Sequence, residues 1–385
     1  MGGAEMRTLL TRGATILAVL TLVAAGAAPV AAAGRKYAAL TVGYSFACGL
    51  TGRGKAYCWG LNSEGQLGDG TEVNRNVATP VAGNLKFSTI AAGEYHACGI
   101  TTRGDAYCWG EDLQGQLGDD QEQPFSSLPV AVVGGLKFTK IAAGGFHTCA
   151  LTKGGAAYCW GYNFEGELGN GDNVLSRVPV AVSGDQKFSS IGTGEYYTCA
   201  LTKGGAAYCW GDNYFGQLGD NSYDDRSTPV PVAGGLKFMA VSPQMNHTCA
   251  LTRRGSAYCW GNNGNGQYGN GDTFASATPL RAVGGKKYAW IAASASGGMG
   301  YAQCYGLRSG RWECTGNASG VEYLNSDSLI PVKMSLNRRT VSSGASYYNV
   351  CALTSAGKIY CAGEGVDGAL GNGSWANSWT PVAVR

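Results

Sequence analysis

The sequence predicts an all-β protein, a seven-bladed β-propeller of four-stranded antiparallel blades, preceded by a secretory leader. Three observations carry that expectation. All fourteen cysteines fall into seven pairs ten residues apart, and the pairs recur with a period near fifty, the mark of a repeat architecture. Each period holds four short runs with the alternation and the β-branched or aromatic content of strands, punctuated by glycine. Glycine supplies 62 of 385 residues while charged residues make up only 14%, a composition suited to short strands and tight turns rather than helices.

Residues 1–33 differ from the rest. Arg7 and Arg12 precede the apolar run "ATILAVLTLVAAGAAPVAAA", which ends in Ala31, Ala32 and Ala33. A basic start, a short apolar core and an Ala-x-Ala end predict a secretory signal cleaved near Ala33. No later stretch is apolar enough to span a bilayer. The expected mature chain, 34–385, is therefore soluble and exported, released or held at the cell surface. A net charge of +3, from 29 basic and 26 acidic residues, offers no concentrated basic face for nucleic acid.

The cysteine pairs are Cys48 and Cys58, Cys98 and Cys108, Cys149 and Cys159, Cys199 and Cys209, Cys249 and Cys259, Cys304 and Cys314, Cys351 and Cys361. In the third repeat the strand-like runs are "LPVAVV" at 128–133, "KFTKIAA" at 137–143, "HTCALT" at 147–152 and "AAYCW" at 156–160. Four antiparallel strands repeated seven times predict blades around an axis; a linear solenoid would need distinct polar caps. Taking the proline-containing run as the first strand leaves "TPVAVR" at 380–385 without a continuation, while "GRKYAALTVGYSFACGL" lacks that strand. On this phasing the C-terminal strand completes the first blade and closes the ring, hiding sheet edges.

The ten-residue spacing has a geometric reason. Glycine stands six positions after each first cysteine, at Gly54, Gly104, Gly155, Gly205, Gly255, Gly310 and Gly357. A three-residue hairpin loop places a left-handed residue third, a conformation glycine takes without penalty. With Lys153, Gly154 and Gly155 as the loop, Thr152 faces Ala156 and Cys149 faces Cys159. That cysteine pair falls at a non-hydrogen-bonded position, Cα atoms about 4.5 Å apart, within disulfide reach. Oxidation is expected in an exported protein, so seven disulfides are predicted, each closing a short loop at about 3 kcal/mol or less. Zinc is a poor rival, because Cys-x9-Cys is not a usual ligand spacing.

The stretch "HTCALTKGGAAYCWGYNFEGELGNG" at 147–171 resembles the regulator of chromosome condensation repeat. The pattern recurs as "WGLNSEGQLGDG" at 59–70, "WGEDLQGQLGDD" at 109–120, "WGDNYFGQLGD" at 210–220 and "WGNNGNGQYGNG" at 260–271. The resemblance extends over 34–385 and implies a seven-bladed β-propeller. Repeats six and seven, with "ECTGNASG" and "CAGEGVDGALGNG", lack the tryptophan after the second cysteine. Members of this family include a nuclear nucleotide exchange factor, ubiquitin-ligase modules and secreted inhibitors of β-lactamase. The leader and the cysteines make the secreted inhibitors nearest in compartment, and fold alone selects no function.

Catalysis has little support. His96, His147 and His247 each lie two residues before a first cysteine, where other repeats place Phe46, Tyr197, Ala302 and Asn349. No Gly-x-Ser-x-Gly, phosphate loop or His-Glu-x-x-His occurs. The Asp- and Asn-rich loops lack the ordered ligand spacing of a calcium site. No catalytic residue, metal or cofactor is expected. Asn62, Asp112, Asn163, Asn213 and Asn263, two residues after Trp-Gly, are expected to hold their loops through local hydrogen bonds.

The loop face is more informative. The connections "GEYH", "GGFH" and "GEYY" should emerge on the same side as the variable segments after Trp-Gly. Three residues before the first cysteine stand Tyr95, Phe146, Tyr196, Tyr301 and Tyr348, with Ser45 and Asn246 in the remaining repeats. The inter-blade loops add Tyr162, Phe164, Tyr214, Phe215, Tyr223, Phe274, Trp375 and Trp379. Such side chains give large contact area at low entropic cost. They predict a non-catalytic module that recognises another protein through an aromatic loop face; the alternative is a lectin-like module stacking on wall or matrix polysaccharide. Packing between blades is the competing role for each ring. Three Asn-x-Ser/Thr sequons, at Asn246, Asn317 and Asn372, matter only in a host that glycosylates exported proteins.

Overall fold

In the third repeat, Thr152 N–H donates to Ala156 O at 2.9 Å and Gly155 N–H to Thr152 O at 3.0 Å, with Gly155 at φ +81°. The three-residue loop with glycine third is therefore present. Register follows from it: Cys149 pairs with Cys159, their Cα atoms 4.1 Å apart and their sulfurs within bonding distance. All seven pairs share this arrangement, with Cα separations of 4.0 to 4.1 Å. These features come from a computed structural model that describes residues 35–282, 286–291, 303–316, 328–333, 336, 338–346 and 349–385. The leader lies outside the described residues.

Seven four-stranded antiparallel sheets follow one another along the chain. In the second blade the strands, from axis to rim, are Phe87–Ala92, His96–Thr101, Ala106–Glu111 and Phe125–Ala131; we call these positions a, b, c and d in every blade. Strand b is buried along nearly its whole length, because neighbouring blades cover both of its faces. Strand d carries a proline in each blade, from Pro80 to Pro381, as an edge strand tolerates. Strands a surround an axial cavity of about 360 Å³ lined by Val42, Ala92, Ala143, Thr193 and Pro243 among others.

The ring closes differently from the sequence expectation. The C-terminal strand Ser378–Ala383 pairs with Ile359–Gly363 of its own repeat and does not complete the first blade, whose four strands all lie within Tyr37–Pro80. A fifty-residue period can be cut before any of its strands. The longest connection, after Trp-Gly, reads as a link between blades. It is instead a wide hairpin: it reaches onto the next blade and returns, so that Val180 pairs with Cys159.

Blades are joined by a repeated contact rather than by a shared strand. The tryptophan after the second cysteine reaches the preceding blade: Trp109 Nε1 donates to Gln66 O at 3.0 Å, Trp160 Nε1 to Gln116 O at 2.9 Å, Trp210 Nε1 to Glu167 O and Trp260 Nε1 to Gln217 O at 2.8 Å each. The second glycine of Gly-x-Leu-Gly lies flat against the indole. At Gly118, φ +71°, an added Cβ would fall 2.7 Å from Trp160 Nε1. Where the sixth blade lacks tryptophan, Thr315 Oγ1 donates to Gln267 O at 2.6 Å. The seam between last and first blades uses the same joint, Trp59 Nε1 to Ala369 O at 3.1 Å. There Gly373 N–H also meets Asn76 O at 2.7 Å, as Gly70 N–H meets Ser127 O at 2.9 Å between the first two blades.

Candidate functional site

Antiparallel order places the a–b and c–d connections on one face whichever strand is counted first, so the predicted face is assembled despite the corrected phase. Backbone bonds lock the two sets of loops together: Glu111 N–H to Tyr95 O at 2.9 Å, Tyr162 N–H to Phe146 O at 3.0 Å and Asp212 N–H to Tyr196 O at 2.9 Å.

Among the described residues the aromatic side chains on this face gather in clusters. Phe146 stacks on Tyr196 with ring centroids 5.7 Å apart. Tyr162 lies edge-on to Tyr196 at 5.5 Å and to Phe164 at 4.8 Å, so the third and fourth blades share one aromatic patch. Tyr95 packs instead on Tyr44 at 5.3 Å, one position before the slot the sequence singled out. Tyr95, Phe146, Tyr162, Tyr196 and Phe215 are half-buried, whereas Phe164, Tyr214 and Trp375 are exposed. Tyr214 and Phe215 meet edge to face at 4.9 Å. Tyr301 and Tyr348 lie outside the described residues. Tyr158 and Trp160, by contrast, pack on Phe138 between blades.

The face also carries carboxyl groups that the aromatic reading passed over. Glu94, only 6% exposed, is pushed up to about 9 by burial, with Glu195 and Glu111 adding to the effect. Burial likewise raises Glu195 and Glu111 to about 7 and raises Asp212 and Glu167. Glu94 N–H donates to Gly144 O at 3.3 Å, and a Cβ at Gly145 would lie 2.9 Å from Glu195 Cγ. Glu94 and Glu195 thus flank the bare backbone of Gly144 and Gly145. Among the described residues Glu94 Oε1, Glu165 Oε2, Glu167 Oε1 and Glu195 Oε2 are buried without a hydrogen-bond partner. The signal was in "GEYH" and "GEYY", where glutamate precedes tyrosine.

The histidines are structural. His96 Nε2 lies 2.9 Å from Thr148 Oγ1 and His147 Nε2 2.8 Å from Thr198 Oγ1, each in the next blade. Burial lowers His96, His147 and His247 to about 3, which keeps them neutral. The loop asparagines act as expected: Asn163 Oδ1 accepts from Leu168 N–H at 2.8 Å, while Nδ2 donates to the carbonyls of Asp172 and Val174 at 3.0 Å. Asp112 holds the acceptor half of this role, receiving Leu117 N–H at 2.9 Å. Its carboxyl is pushed up to about 7 by burial.

Fold and face define a propeller that presents aromatic and carboxyl side chains on the loops of one face. Residues 24–304 match the RCC1-like domain family, and the chain belongs to that family. Human WBSCR16 has a similar structure, with TM-score 0.77 and 19% identity over 86% of this chain and 94% of that one. Prp20p of Saccharomyces cerevisiae is similar at TM-score 0.74 and 21% identity over 91% of this chain and 87% of that one; that structure was described together with its binding to Gsp1p and histones. The yeast protein bound to Kap60 gives TM-score 0.75 and 20% identity, over 91% and 85% of the two chains.

Proposed function

We propose that the protein is an exported, non-catalytic module that recognises another protein through its aromatic loop face. The observation that carries the reading is the contiguous patch of Phe146, Tyr162, Phe164 and Tyr196, built across two blades and partly open to solvent. Half-buried aromatic rings held by one another are preorganised, so little entropy is lost when a partner covers them. Seven cysteine pairs at disulfide geometry support an oxidising compartment. Similarity to Prp20p, which binds Gsp1p and histones, supports protein recognition as a use of this fold.

The test is capture of secreted and cell-surface proteins by the oxidised protein, beside a Tyr95→Ala, Phe146→Ala, Tyr196→Ala triple variant. A protein retained by the unaltered chain and lost from the folded variant is expected. Equal retention by both would refute the aromatic face as the site. A second reading, stacking on polysaccharide, draws on the exposed rings Tyr214, Phe274 and Trp375. Retention of wall carbohydrate, competed by free sugar, would favour it.

A further inference from the structure

Carboxyl groups buried beside aromatic rings without a compensating cation need an explanation, since each unmet acceptor carries its desolvation cost. The ion pairs among the described residues are Arg75 with Asp69, Lys137 with Asp105, Arg226 with Asp220 and Lys286 with Glu313. None involves Glu94, Glu165, Glu167 or Glu195. Strands a of the second and fourth blades end at Ala92 and Thr193, which line the axial cavity. Glu94 and Glu195 follow two residues later, at its rim, separated by the side-chain-free Gly144 and Gly145. Beside them Tyr196 stacks on Phe146.

We infer that this rim is a cation-recognition site, in which Glu94 and Glu195, with Phe146 and Tyr196 beside them, receive an arginine side chain of a partner protein. The inference rests on the protein-binding reading and adds the chemistry of the group that must be presented. A guanidinium brings five N–H donors to Glu94 Oε1 and Glu195 Oε2, both buried without a hydrogen-bond partner, and a flat face to an aromatic ring. A metal ion fits less well, because among the described residues no three His, Cys, Asp or Glu side chains gather closely enough to hold one.

Glu94 retains its proton at neutral pH in the free protein, facing Glu111, Glu195 and Tyr196, with Asp212 beyond Glu195. An arriving guanidinium exchanges for that proton, so binding releases protons and strengthens as pH rises toward about 9.

The probes are Nα-acetyl-arginine N-methylamide and its neutral citrulline counterpart, titrated into the oxidised full-length protein by ligand-observed NMR at about pH 7 and about pH 9. We expect the arginine derivative to bind, more tightly at the higher pH, and the citrulline derivative to bind roughly tenfold more weakly or not at all. Glu94→Gln and Glu195→Gln should each cost roughly tenfold in arginine affinity. Glu94→Gln mimics the protonated carboxyl and should leave the melting temperature unchanged. Absence of arginine binding, equal binding of citrulline, or full affinity in both glutamine variants would overturn the inference. A partner lost from the aromatic triple variant but kept by Glu94→Gln/Glu195→Gln would overturn it while leaving the protein-binding reading in place. Loss of neither partner nor probe in the aromatic variant would refute that reading itself.

Discussion

The tryptophan joints divide into two kinds, and the division sets the cost of breaking them. Gln116 O receives Thr148 Oγ1 at 2.9 Å as well as Trp160 Nε1. Glu167 O receives Thr198 Oγ1 at 3.1 Å and Gln217 O receives Thr248 Oγ1 at 2.8 Å, again beside a tryptophan. In the first and second blades the threonine is replaced by Ala47 and Ala97. There Ala369 O and Gln66 O depend on Trp59 and Trp109 alone. Replacing any of the five tryptophans by phenylalanine removes the same buried atoms, at about 1–2 kcal/mol. At Trp59 and Trp109 the change also strands a buried carbonyl, adding about 1–3 kcal/mol. Trp59→Phe and Trp109→Phe should therefore fall together, about 1–3 kcal/mol less stable than Trp160→Phe, Trp210→Phe and Trp260→Phe. Calorimetry and urea unfolding under non-reducing conditions would measure this; a kilocalorie corresponds to roughly 2 °C in a chain of this size. Five equal losses, or the reverse grouping, would refute the claim that the carbonyl joint holds the blades together.

Three further outcomes follow from the same geometry. Asp112 titrates near 7 when folded against 3.8 as its ordinary value, so its stabilising neutral form is complete below about pH 4 and lost as pH rises through about 7. Asp112→Asn should flatten the fall in urea midpoint between about pH 4 and 7, and a curve parallel to the parent would count against the buried carboxyl as its source. Asn163→Ala strands Leu168 N–H and two carbonyls, and should cost about 2–4 kcal/mol while raising hydrogen exchange across 164–174; unchanged exchange would contradict its role as loop anchor. Cys149→Ala with Cys159→Ala should leave the blade folded but lower stability by about 3 kcal/mol or less, with proteolysis under oxidising conditions as the readout. A protein that no longer folds would show that the hairpin depends on its bridge.

Cysteine spacing made the fold legible, because a ten-residue separation around a glycine-ended loop has one antiparallel register. The position of Gly155 was enough to place Cys149 opposite Cys159. The phase of the blades was not legible, since periodicity is unchanged by where the period is cut. The segment after Trp-Gly, Tyr162 to Leu175, has the length of a link and the function of a hairpin. The aromatic face was readable because strand alternation fixes which loops share a side. The carboxyl groups were harder. A glutamate at a loop tip is ordinarily a solvated charge; here Glu94 lies against the backbone of Gly144, and Glu195 fills the space that a side chain at Gly145 would take. Tyr44 was missed because the slot in the first repeat is held by Ser45, and the aromatic ring that reaches Tyr95 comes from the residue before it.

The seam has a consequence for how such a ring can change. Arg35 Nη1 lies 3.4 Å from Ala78 O, and Ala78 N–H donates to Arg385 O at 3.0 Å, so both ends of the described chain meet at one residue. Every sheet is made from contiguous sequence, and in the first six blades the residue after the second cysteine bonds a loop carbonyl of the preceding blade. Duplicating or deleting one fifty-residue period would then split no ladder and orphan no cysteine. The unit that can be copied in the gene is the unit that carries its own bridge and both halves of its joint, and variation can be confined to the loops of a single blade.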